Sequence, residues 1–203
     1  MMVGGPAGNE QLTTATGVIL LVLLAALGVT IVRIGQLTWL DFFLGLLVIG
    51  PVTLKLASTG YRFVRYYAGS APYVRQGPPE LWLRLLAPGV VLSTVVVFAS
   101  GVVLLFLGPA HRDPWFLIHK ASFFVWLGAT GLHVLGHLPG MRAGLRATRR
   151  PGTSARGGQA GGAGRVIAIT GAVVGGLVLA IVLIPDFAGW TAHPALWQHH
   201  HGG

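Results

Sequence analysis

HKASFFVWLGATGLHVLGH, residues 119–137, places three histidines in an otherwise apolar stretch. A helix rises ~1.5 Å per residue, and about 20 apolar residues cross ~30 Å of hydrocarbon. The run 115–138 meets that requirement, so these imidazoles are expected inside or at the edges of a membrane span. His119 and His133 are fourteen positions apart, which is ~21 Å along a helix and returns to within ~40° of the starting face. They therefore form one stripe at two depths, with His137 at the inner end. Gly128, Gly131 and Gly136 leave room beside that stripe for a neighbouring helix or a flat, bulky group. An ionisable side chain within a span is costly, faces the protein interior and is by default a functional candidate. Its alternative is a neutral imidazole that hydrogen-bonds a carbonyl or reaches interfacial water.

The rest of the chain has the same character. Of 203 residues, 53% are hydrophobic and only 9% charged, a composition foreign to soluble domains. Five runs are long enough to span, at about 15–34, 37–58, 86–107, 115–138 and 165–185. The expected class is an all-α integral membrane protein, with a four-helix transmembrane bundle over residues 1–148 and a fifth, C-terminal transmembrane helix. The first run is expected to be a retained span. No Lys or Arg precedes it, Glu10 does, and no small-x-small cleavage site follows it. There is no cysteine, so any metal must be held by nitrogen or oxygen.

The formal charge of +9 has a topological explanation. Eleven of the fourteen basic residues lie in or beside two connections, Lys55, Arg62, Arg65, Arg75 and Arg84 around the first and Arg142, Arg146, Arg149, Arg150, Arg156 and Arg165 around the second. Positive connections stay in the cytoplasm, which puts a multi-pass protein in the plasma membrane with its N-terminus inside and its C-terminus outside. Contact with the lipid bilayer and its anionic lipids is expected of these residues. Nucleic acid is not an expected partner, since no folded module with stacking aromatics accompanies the arginines.

Between the spans, YRFVRYYAGSAPYVRQGPPELWLRLLAPG, residues 61–89, mixes Arg with Tyr and Trp and reads as an interfacial segment whose helix starts at Pro78-Pro79. Residues 149–164 are rich in Gly, Ser and Arg and read as a flexible cytoplasmic linker. Residues 165–203 then form the fifth helix and an outer tail. Gly171 and Gly175 have the spacing for close helix packing. In the tail, Trp190 and Trp197 mark the outer boundary, and His193 with the terminal histidines is a weak site for metal capture.

WFLIHKASFFVWLGATGLHVLGHL, residues 115–138, and ASGVVLLFLG, residues 99–108, together resemble the di-haem membrane cytochromes b, such as the gamma subunits of formate dehydrogenases. In that family one helix supplies two haem-ligating histidines fourteen residues apart, and the helix before it carries a small-Gly pair. The similarity covers the third and fourth spans, extends to the first four by architecture and stops before the fifth. It implies His119 as ligand to the iron of an outer haem b, His133 as ligand to an inner one, and Gly101 as a close-contact residue. It also implies electron transfer or anchoring of a redox complex, with quinone and a redox-protein or other membrane subunit as partners.

The chain departs from that family in one respect. Each iron there is completed by a histidine of the first or second helix, and no histidine precedes His111 here. Asp41 stands at the outer depth and Lys55 at the inner. A carboxylate is a poor axial ligand for a low-spin haem. Three outcomes remain open: five-coordinate haem, ligation by His111 or His193, and a bundle without the cofactor, so that zero to two haems are expected. Asp41 is expected to pair with Arg33, Lys120 or His119, and Lys55 to snorkel to the cytoplasmic surface. Lys55, Tyr61 and His137 form the candidate quinone pocket. Ser93, Ser100 and Ser122 lack a His-carboxylate partner, and no catalytic acid-base pair or phosphate-binding loop is present. Two functions are thus expected to compete: a cytochrome b-like subunit that is not itself the catalytic centre, and a cofactor-free membrane scaffold or assembly protein.

Overall fold

A computed structural model of the chain describes residues 5–75, 77, 81–148 and 161–192, the side chains of 137–148 excepted. The described residues form helices and no strand. Helix is what apolar sequence must adopt in lipid, because each backbone N–H and C=O then finds its partner within its own segment. The long helices are α1 (Gly5–Val32), α2 (Ile34–Tyr67), α4 (Leu81–Leu107), α5 (Trp115–Thr148) and α6 (Gly162–Val182), with short α3 (Ala71–Val74) and α7 (Ala188–Thr191). Four of them, α1, α2, α4 and α6, are long and apolar enough to cross a membrane.

Side-chain pairs give the register. Thr30 meets Asp41 and Thr13 meets Lys55, so α1 and α2 form an antiparallel hairpin that turns at Arg33. Leu37 leaves helical geometry just after that turn. His119 meets Ser100, Trp126 meets Thr94, and Gly136 lies against Trp82 and Leu83, so α4 and α5 form a second antiparallel hairpin. α6 runs antiparallel to α2, with Gly176 at Leu47 and Gly50, and Phe187 and Trp190 beyond its end at Phe42.

α2 thus lies between α1 and α6, whereas the extended contact of α5 is with α4. The two parts join at one end through a cluster of Leu46, Leu104, Leu105, Ala180, Phe187 and Trp190, flanked by Phe42, Phe43 and Phe116. Much of the remaining surface is apolar and exposed, including Val22, Phe106, Leu117, Val125 and Ile167. That pattern suits lipid as the surrounding solvent.

The closest approach differs from the pair expected in α6. Gly171 and Gly175 have nothing within 4 Å of where a Cβ would stand. Gly176 does the work instead: a Cβ on it would overlap the Leu47 carbonyl oxygen, and one on Gly50 would overlap that of Ala172. Pro51 is the reason for this register. A proline lacks the N–H that would occupy the carbonyl four residues earlier, so Leu47 C=O is freed and turns toward the Gly176 backbone.

Candidate functional site

The α4–α5 seam carries the chemistry expected of residues 119–137. His119 is half-buried, with Nδ1 3.1 Å from Val97 O and 3.0 Å from Ser100 Oγ. A carbonyl oxygen can only accept, so Nδ1 carries the proton and donates. Ser100 is fully buried and its hydroxyl donates to the same carbonyl at 3.1 Å. Nε2 is left with a lone pair and no hydrogen-bond partner among the described residues. This is not an activated nucleophile, because the imidazole nitrogen facing Ser100 holds a proton rather than accepting one.

Gly101 permits the arrangement. A Cβ there would sit 3.1 Å from His119 Cε1, so the absence of a side chain lets the ring lie against α4. The neighbour that Gly101 accommodates is the His119 ring. About two turns further along α5, Trp126 Nε1 donates to Thr94 Oγ1 at 3.0 Å, and Thr94 donates to Val90 O at 2.6 Å. Composition and spacing did not mark Trp126 or Thr94. Only their shared depth on two antiparallel helices reveals the pair. His133 lies half-buried further along α5. The imidazoles of His137 and His193 lie outside the described residues.

Two charged side chains of α2, Asp41 and Lys55, face α1. Asp41 Oδ1 lies 2.7 Å from Thr30 Oγ1, which donates to it. No ion pair with Arg33, Lys120 or His119 is formed among the described residues; the carboxylate meets α1 instead. Lys55 Nζ donates to Thr13 O at 2.6 Å, beside bonds from Asn9 Nδ2 to Ser58 O and from Thr13 Oγ1 to Ser58 Oγ, both 3.1 Å. Its stem therefore lies across the α1–α2 interface instead of reaching straight to the surface. Tyr61, the second member of the candidate quinone pocket, packs edge-to-face on Tyr73, with centroids 6.1 Å apart.

The fit of a haem can be read from these donors. His119 presents one free imidazole nitrogen with the second-nitrogen hydrogen bond typical of metal-ligating histidines. The partner ligand is not supplied by α2, whose Asp41 and Lys55 are both bonded to α1. Among the described residues no group of three His, Cys, Asp or Glu could hold a metal ion. A recess of about 420 Å³ beside the α4–α5 hairpin is lined by Trp82, Leu85, Leu86 and Leu132, without His119 or His133. Among the described residues the donor set does not complete a six-coordinate haem.

No protein-family model, curated protein or solved structure matches this chain.

Proposed function

We propose that this protein is a cofactor-free membrane scaffold, a multi-pass subunit that works by helix association and anchors or assembles a partner membrane protein. The observation that carries this reading is the destination of the polar groups within the helices. His119 Nδ1, Ser100, Thr94 and Trp126 bond across α4 and α5, and Asp41 and Lys55 bond across α1 and α2. Polar side chains used in this way hold helices together in lipid and mark no path for substrate or electrons. In this reading α5 also crosses the plasma membrane. There are then five spans, α1, α2 and α6 side by side and α4 paired with α5, with the N-terminus cytoplasmic and the C-terminus outside, as the placement of the basic residues supports.

One observation favours a second reading. Nε2 of His119, oriented by the Nδ1 hydrogen bond, is the donor a haem b would use in a cytochrome b-like electron-transfer subunit that exchanges electrons with quinone. A bound haem would supply the redox step, while Val97 and Ser100 would hold the imidazole's tautomer and orientation.

The visible spectrum separates the two. The scaffold gives folded, helical protein without a Soret band, including when it is expressed with ample haem. A Soret band with reduced-minus-oxidised α-band changes, abolished in His119→Ala and His133→Ala, overturns it in favour of the cytochrome.

A further inference from the structure

The helix α2 has 34 residues, or about 51 Å at the helical rise, well beyond ~30 Å of hydrocarbon. Its last turns and α3 therefore lie at headgroup depth, and there they gather a basic-aromatic cluster. Arg65 Nη2 donates to Ser70 Oγ at 3.0 Å, and its guanidinium lies 5.9 Å above the Tyr73 ring. Arg65 Nε is buried without a hydrogen-bond partner among the described residues. Tyr73 is buried, packs edge-to-face on Tyr61, and lies near the charges of Arg65 and Arg62. No carboxylate among the described residues pairs with either arginine.

Two arginines one helical turn apart and an unused buried N–H, with no acid paired to them among the described residues, call for an anion with several acceptor oxygens. The neighbouring surface says which anion. Phe63 and Val64, on the same turns of α2, are 59% and 62% exposed, and tyrosines of this kind sit where lipid headgroups meet acyl chains. A soluble acidic segment would leave those apolar side chains in water, whereas a phospholipid covers them. We propose that Arg62 and Arg65, held by Tyr73 and Ser70, bind the headgroup phosphate of an anionic phospholipid, whose acyl chains lie along Phe63 and Val64.

Arg84 provides an internal control. It is hydrogen-bonded to the Tyr67 hydroxyl and lies 5.3 Å over the Tyr67 ring, whereas Arg65 is held by Ser70 and Tyr73. The full-length protein is to be exchanged into nanodiscs of equimolar phosphatidylglycerol and phosphatidylcholine, and the retained lipid counted by native mass spectrometry. Wild type is expected to retain phosphatidylglycerol preferentially. Arg62→Gln and Arg65→Gln each reduce that retention roughly fivefold, the effect of one basic residue at an anionic surface. Arg84→Gln changes it by less than about twofold, because its guanidinium is held by Tyr67 and not by Ser70 and Tyr73.

No preference in wild type overturns the proposal. Equal losses in Arg84→Gln and Arg65→Gln overturn it as well, since the attraction is then diffuse. If inorganic phosphate alone displaces the retained lipid and stabilises the protein equally, the site belongs to a free anion, and preferential capture of an acidic peptide makes it a protein-docking site. Helical content by circular dichroism reports folding. Should Arg65→Gln fail to fold, Arg62→Gln, which breaks no hydrogen bond, decides the matter.

Discussion

Gly50 and Gly176 bring the backbones of α2 and α6 into direct contact, next to the carbonyl that Pro51 leaves free. With no hydrophobic drive between helices inside lipid, close van der Waals approach of this kind supplies much of the association. It also makes α6 an integral neighbour of α2, although residues 149–164 look like a tether in the sequence.

Gly50→Leu therefore separates α2 from α6. Its side chain must occupy the position of the Ala172 carbonyl, so a cost at the upper end of the ~1–3 kcal/mol typical of overpacking is expected. Gly171→Leu, with open space at its Cβ position, is expected to change stability by less than about 0.5 kcal/mol, as surface substitutions do. Unfolding in graded detergent denaturant compares the two. Equal losses would mean that α6 packs by its other face.

His119 is expected as the Nδ1–H tautomer, with Val97 O as its acceptor. Nitrogen chemical shifts of labelled histidine check this directly. Ser100→Ala should cost about 0.6 kcal/mol, the average for a hydrogen bond between membrane helices, and should leave the tautomer unchanged because the carbonyl remains. A switch to Nε2–H would show that Ser100 sets the tautomer.

Trp126→Phe keeps the ring packing and removes the donor to Thr94. The expected loss is again ~0.6 kcal/mol and below ~1.7. In the double variant with Thr94→Val the two losses should fail to add, as they do for partners in one bond. Full additivity would mean that the two side chains act independently.

Tyr73 gives the one pH-dependent expectation. Burial, first, and then the neighbouring Tyr61 push its phenol above its ordinary value of 10.0, with Arg65 and Arg62 opposing. The fold thus favours the neutral phenol. The stability this contributes is present below pH ~10 and is lost as pH rises through the higher folded value. In ultraviolet tyrosinate titrations, an ionisation above the ordinary tyrosine value is expected, and it should disappear in Tyr73→Phe.

Much of this was legible in the residues. Long apolar runs leave a backbone no option but helix in lipid, so the all-α membrane class and the approximate positions of the four apolar helices follow from composition alone. The placement of His119 and Gly101 on adjacent helices was also readable, since the fourteen-residue histidine spacing and the small-Gly pair drew attention to the two segments that pack together. The partners of Asp41 were not readable. A carboxylate at a given depth can meet any helix at that depth, and one-dimensional spacing carries no record of which helix is beside it.

The sequence by itself determined what each segment must be, because helicity, membrane depth and the sidedness suggested by the basic residues depend on local composition and on the surrounding solvent. The tertiary structure alone decided what each segment meets. The histidine that reads as a haem ligand is turned onto α4, the charges that read as its partners are turned onto α1, and the glycine that closes the α2–α6 contact is Gly176, one position beyond the expected Gly175. Helix rotation makes that choice, and one residue along a helix is about 100° around it.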